Sequence, residues 1–379
     1  MAVPIEEWGR RLTDALGAAL ESGDLKLARR LALEGDGQAR SLAKEYTLMY
    51  RGLGITIRVM LPLLREEALR MDAATRRTDA AGAGARGADA GGTDAGGADA
   101  GGTGAASSAA VLIRRFRNDL AEGMRRAWGN APGAPVAEAV PMGSPDGSLE
   151  SEIEMTARLL EAGVARFEQE QARLAGEIVS AIEARDAAGA RALLRRKEQD
   201  HYRPVHDRLV RFMAESFGWV LGRGGADALL RFHLATAEGQ RPGFEKWEAM
   251  PAAEFARASA FLVKQHLGQL TVREDGVKFT LEQGLCGSGG RLRLAGAYAG
   301  TEALPFVEGP GPLTFGQPRL PVYCSHCAAW NGVATLRWFG RAHWVFEGAA
   351  RPDGGCRLHI YKRREDAPAE YARLMTVAQ

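Results

Sequence analysis

Leu270-Thr271-Val272-Arg273-Glu274-Asp275-Gly276-Val277-Lys278-Phe279-Thr280-Leu281 is where the chain changes its period. Two runs with strand-like alternation flank an Asp-Gly pair, which is the signature of a β-hairpin whose tight turn asks for positive φ angles. Upstream, as far as His266, apolar residues recur at helical spacing instead: Leu12, Leu16 and Leu20, then Leu27 and Leu31, then Leu53, Ile57 and Met60. Downstream, residues 291–294, 321–323, 334–339, 343–346 and 356–361 read as further strands. The order predicts an α+β protein in which helical N-terminal and central regions precede a C-terminal antiparallel sheet of about five strands.

Composition divides the helical part. Residues 1–72 form an N-terminal helical unit, broken at Ser22-Gly23-Asp24 and Gly35-Asp36-Gly37. Residues 73–110, nearly all Ala, Gly, Asp and Thr, have too few large apolar groups to offset their ordering entropy and read as a disordered linker. A short basic helix over 111–128 and a Pro/Gly spacer complete the segment 111–147. Ser151-Glu152-Ile153-Glu154 reads as a capping box opening the central helical domain, 148–267. Residues 268–379 are the β-rich module.

The two helical units echo each other. Ala19-Leu20-Glu21-Ser22-Gly23-Asp24 followed by Ala28-Arg29-Arg30-Leu31 matches Ala181-Ile182-Glu183-Ala184-Arg185-Asp186 followed by Ala190-Arg191-Ala192-Leu193 at one constant offset. A duplicated helical unit accounts for this, as does shared Ala/Arg/Leu composition. Under duplication His201 and His206 align with Ala39 and Lys44, so only the second copy carries histidine.

The 379 residues are 46% hydrophobic and 25% charged, enough for two or three domains with cores of their own. With 49 Lys+Arg against 47 Asp+Glu the net charge is +2, which lacks the basic footprint of a nucleic-acid-coating protein. The N-terminus has no signal-type apolar core and no run approaches the length of a membrane span, so the expectation is a cytoplasmic protein without nucleic-acid or membrane partners. The oligomeric state is not legible. Walker, Rossmann, G-x-S-x-G and H-E-x-x-H patterns are all missing from the sequence.

Chemistry concentrates in the last quarter, which holds all four cysteines: Cys286, the pair Cys324-Ser-His-Cys327, and Cys356. A C-x-x-C turn presents two thiolates, and two single cysteines can complete a tetrahedral zinc site; an iron–sulfur cluster accepts the same four ligands. Glycines flank Cys286 and Cys356, where backbone N–H groups can approach sulfur. Arg291, Arg293, Arg357 and Lys362 stand near enough in sequence to offset the charge of four thiolates. His326, inside the turn, could replace one thiolate or act beside an open metal position. A redox dithiol, or plain small apolar side chains, are the competing uses.

A second constellation is Glu198-Gln199-Asp200-His201-Tyr202-Arg203-Pro204-Val205-His206-Asp207. Glu198 and His201, three apart, would share a helical face, and Pro204 should break the helix and aim His206 and Asp207 into a pocket. His201, His206, Asp207 and His326 are the acid–base candidates. The same run would also serve as a solvated polar face. Aromatic residues from Phe212 to Phe261 supply a core or line a small-molecule pocket.

The Cys-Gly turn, the Tyr-Cys-x-x-Cys turn and the closing strand Gly-Cys-Arg-Leu-His-Ile-Tyr together resemble the cysteine-patterned domains of the vinyl reductase group. They are also similar to the family named after amino-thiazoline carboxylate hydrolase. The resemblance spans residues 190–362, and only Cys286, Cys324, Cys327 and Cys356 carry over. It implies, in the first group, a small-molecule pocket beside a structural zinc and, in the second, hydrolysis of a sulfur heterocycle. The expectation is thus a zinc-binding protein that binds or senses a small ligand between helical body and sheet. The alternatives are a metal-dependent hydrolase or lyase, or an iron–sulfur redox protein.

Overall fold

The computed structural model describes residues 3–34, 41–86, 104–129 and 147–377. Four long helices form the body: α3 (Thr47–Arg86), α4 (Gly104–Trp128), α5 (Leu149–Glu183) and α7 (Arg203–Glu238). Their apolar stripes meet in one core that includes Tyr50, Ile57, Leu64, Ile113, Phe116, Leu120, Phe167, Leu209 and Phe212. Phe116 stacks on Phe212 with ring centroids 3.9 Å apart. The same core encloses the ion pair Arg117–Glu152, both side chains nearly inaccessible. Gly225, at φ +72°, kinks α7.

Helix extends into both ends of the expected linker. α3 runs on through Arg86 and α4 begins at Gly104 rather than at residue 111. Alanine is the best helix former, and here a tertiary contact supports it: the Asp72 carboxylate accepts the N–H of Ala105 (3.0 Å) and of Ala106 (3.3 Å), the first turn of α4. Residues 87–103, the rest of that linker, lie outside the described residues, as do the break at 35–37 and the spacer over 130–146. The stretch Thr47–Asp79 is long and apolar enough by composition to cross a membrane, contrary to the sequence expectation. Its apolar face, with Ile57, Met60, Leu61 and Leu64, is taken up by the bundle core.

A smaller helical cluster caps one end. α1 (Leu12–Glu21) and α2 (Leu25–Glu34) pack on the last turns of α5 and on α6 (Ala187–Arg195) through Leu16, Leu20, Ala28, Ile178, Ile182, Ala190 and Leu194. A π-helical turn, Arg196–Tyr202, then joins α6 to α7.

After α8 (Arg241–Glu248) and α9 (Ala252–Lys264) come β1 (Gln269–Glu274) and β2 (Lys278–Leu285). With β5 (Val345–Glu347) and β6 (Cys356–Tyr361) they make a four-stranded antiparallel sheet in the order β1-β2-β6-β5. Its apolar face, Val272, Phe279, Leu281, Leu358 and Ile360, covers Phe255, Ala256 and Ala260 of α9. Phe306–Glu308 (β3) and Arg319–Pro321 (β4) pair separately.

The hairpin is where the sequence placed it, but Gly276 is not at positive φ. The turn is held instead by the Asp275 side chain, which accepts the N–H groups of Val277 (2.7 Å) and Lys278 (2.8 Å). Three of the expected strands are helical: residues 291–294 lie in α10 (Gly289–Leu294), 334–339 continue a π-helical turn into a helix ending at Phe339, and 321–323 leave a strand at Pro321 for the 3-10 turn Val322–Cys324. Short apolar runs do not distinguish strand from buried helix by period, and Val333 and Ala334 are both buried.

Candidate functional site

The hairpin delivers Cys286 directly after β2, and its N–H donates to Gly354 O at 2.9 Å. That bond brings in the Gly354-Gly355-Cys356 segment, and Cys356 opens β6 opposite Gln283. Cys324 and Cys327 come from a 3-10 turn and the short helix directly after it. The glycines permit the approach: a Cβ on Gly289 would stand 3.0 Å from Cys324 Sγ, and one on Gly290 would stand 2.1 Å from Gly354 O.

The four sulfurs converge. Cys286 and Cys356 lie next to each other, and every remaining pair lies within electrostatic reach. Donors surround them: Gln283 Nε2 reaches Cys356 Sγ at 2.9 Å, Arg293 Nη1 reaches Cys324 Sγ at 3.5 Å, and the N–H groups of Gly290 and Ser288 point at Cys286 Sγ. Neighbouring Cys356 and these amides hold Cys286 well below the usual thiol range, against the effect of burial. Burial pushes Cys324 and Cys327 up, and nearness to Cys286 together with burial does the same to Cys356. Among the described residues no three His, Cys, Asp or Glu side chains are drawn in to the spacing of a coordination shell.

Of the four cations expected to offset the thiolates, only Arg293 reaches a sulfur. Arg291 pairs with Asp207, Arg357 with Glu282 and Lys362 with Glu274. Neighbouring carboxylates took the others, a competition that sequence proximity does not reveal.

The acid–base candidates do not form one site. His326 sits in the cysteine turn with Nδ1 against Tyr323 O and Nε2 3.4 Å from Cys327 Sγ. Fully buried His206 has Nε2 2.8 Å from His266 Nδ1, while its Nδ1 lies 2.9 Å from Asp207 and 3.0 Å from Arg291. Burial lowers the pKa of both His206 and His266.

His201 is elsewhere, because the π-helical turn rotates it away from Glu198. Glu198 meets Arg11 (2.8 Å) and the Tyr46 hydroxyl, whereas His201 lines a cleft with Arg126, Arg173 and Arg196. The face that an α-helical spacing would have shared is therefore split between two environments.

Sequence reasoning did not single out the polar core around Glu198. Glu45 accepts from Thr13 Oγ1 at 2.6 Å, Tyr46 stacks on Tyr202 at 4.3 Å, and Lys197 Nζ lies 4.8 Å from the Tyr46 ring centroid. Lys197 has no hydrogen-bond partner for its ammonium among the described residues, and burial lowers its pKa to about 8 against the pull of Glu45 and Glu198. By sequence alone these residues resemble a solvated charge run. The space beside this polar core, lined by Arg11, Leu12, Glu45, Tyr46, Phe261, Lys264 and Gln265 of the helical part, is about 10 Å³, one water's worth. No protein family, curated protein or solved structure matches the chain.

Proposed function

We propose that this chain is a small-molecule-binding protein whose C-terminal module is closed by a structural zinc on Cys286, Cys324, Cys327 and Cys356. The observation that carries the zinc reading is the convergence of four thiols from three separate chain segments. The groups around them fit such an ion, because amide and guanidinium N–H donors aimed at sulfur stabilise thiolates rather than thiols. Four thiolates complete a tetrahedral shell and leave no exchangeable position.

Both ring nitrogens of His326 already have partners, which argues against its use beside an open metal. The structural reading is therefore favoured over a hydrolase or lyase. A zinc here would tie β2, β6 and the 324–327 turn together. That turn also reaches the body, where Ser325 Oγ lies 2.8 Å from His233 Nε2 of α7.

The test is metal content by mass spectrometry, with an absorption spectrum of the same anaerobically purified sample. One zinc per chain in a colourless solution is the expected result. Iron–sulfur absorption, or metal-free protein whose melting is indifferent to a chelator, would overturn the assignment. Cys324→Ser should lose the ion and unfold the sheet module while the helical body keeps its far-ultraviolet signal.

A further inference from the structure

We infer that the cleft between the end of α4, the middle of α5 and the π-helical turn binds the phosphate group of a small phosphorylated molecule. It encloses about 540 Å³ and is lined by Arg126, Trp128, Arg166, Arg173, Arg196 and His201, with Glu170 at its base. The inference deepens the ligand-binding half of the proposed function and is independent of the zinc half.

Two observations point to an anion. The first is unmet hydrogen bonding: Trp128 Nε1, Arg166 Nε and His201 Nδ1 are buried without a partner among the described residues. Trp128 is 7% exposed and His201 3%. Indole and guanidinium N–H groups are donors only, so whatever satisfies them must accept, and leaving such groups dry is unfavourable.

The second is charge. Four guanidiniums and one carboxylate line the cleft. Glu170 is shared by Arg166 (2.7 Å) and Arg173 (2.9 Å), Arg173 also meets Glu177, and Arg126 pairs outward with Glu122. Arg196 has no ion pair among the described residues and stands exposed at the rim. Burial, reinforced by Arg196 and Arg173, lowers the pKa of His201, so the site holds a neutral imidazole among fixed cations.

The guanidinium donors of Arg126, Arg166, Arg173 and Arg196 come from three elements and line the space, which suits the several oxygens of a phosphate better than the two of a carboxylate. A π-helical turn, common at functional sites, is what brings His201 to this wall.

The experiment titrates inorganic phosphate into the full-length protein as purified, at constant ionic strength. It reads the indole ¹⁵N–H resonance of Trp128, assigned with Trp128→Phe, and the melting temperature. A saturable shift of that resonance with a rise in melting temperature is expected. Arg196→Gln, a surface change outside every ion pair among the described residues, should weaken the apparent affinity about tenfold or more while leaving the phosphate-free melting curve unchanged. Failure of wild type to saturate would overturn the inference, as would an identical response in Arg196→Gln. Saturation by acetate but not by phosphate would replace the phosphate assignment with a carboxylate. Metal content measured on the same samples keeps a failure here distinct from a failure of the zinc reading.

Discussion

The chain turns the same corner twice, once from α1 into α2 and once from α5 into α6, and the two corners differ at the position where a difference should cost most. In each, a helix ends at Glu21 or Glu183, and three residues later Asp24 or Asp186 donates its N–H back to Ala19 O or Ala181 O, both at 2.9 Å. The aspartate then caps the next helix, accepting from Leu27 N at 2.9 Å in one corner and Gly189 N at 2.8 Å in the other. The residue that must enter the left-handed region is Gly23 (φ +77°) in the first corner and Arg185 (φ +59°) in the second. The shape therefore comes from the aspartate cap and the apolar contacts, and it persists without glycine. The inner faces of both corners share one cluster, so their energetics should be comparable residue by residue.

That expectation can be broken most forcefully in the cluster itself. Leu20 and Ile182 occupy matching positions and are 1% and 3% exposed. Leu20→Ala and Ile182→Ala should each cost about 2–5 kcal/mol in denaturant unfolding, through lost transfer energy and the cavity left behind. If one is costly and the other nearly silent, the two corners do not share a core.

Beyond the corners the two units diverge. The second leads into the π-helical turn and Lys197, which faces Glu45, Glu198 and the Tyr46 ring, while Arg11 pairs with Glu198 beside them. The pKa of Lys197 falls from 10.5 to about 8 on folding. Between those values the unfolded chain binds more protons than the folded one, so stability contributed by this site rises with pH across the window and is flat below it. Wild type should gain on Lys197→Met by about 1.4 kcal/mol per pH unit from roughly pH 8 to 10, of order 3 kcal/mol in all. Parallel stability curves would mean that Lys197 is solvated or paired.

The matched corners were legible because a residue offset survives any fold, and the hairpin and Cys356–Tyr361 because two-residue alternation was flanked by turn chemistry. The helical character of 291–294 and 334–339 was not, since a run of six residues or fewer carries no decisive period. The four cysteines could be grouped by chemistry alone, and the structure gathers them. His201, by contrast, was assigned to the wrong neighbours, because a single π-helical turn changes which residues share a face. Arg166 and Arg173, seven apart on one face of α5, were a readable pointer to the arginine cleft, but only in combination with Trp128 and Arg196 from elements far away in sequence.

The caps sharpen the comparison at a smaller scale. Asp24→Ala and Asp186→Ala should each destabilise by about 1 kcal/mol, because each leaves one helix N–H without its acceptor. Equal losses, measured as shifts in denaturant midpoint at constant slope, are the outcome that equivalence requires. A loss confined to Asp186 would mean that the first corner is held by its packing on α5 alone.

The smallest effect isolates the difference itself. A residue with a Cβ in the left-handed region is disfavoured by about 1–2 kcal/mol, and glycine relieves that while gaining freedom in the unfolded chain. Arg185→Gly should therefore stabilise by only about 0.5–1 kcal/mol. Gly23→Ala should destabilise by about 1 kcal/mol, because an added Cβ meets nothing within 4 Å and the backbone conformation alone sets the cost. The pair is informative because the substitutions run in opposite directions on one backbone shape. Opposite signs would show that both corners sit in the same strained well, whereas a loss in Arg185→Gly would mean that the arginine side chain holds its corner through contacts the glycine corner does without.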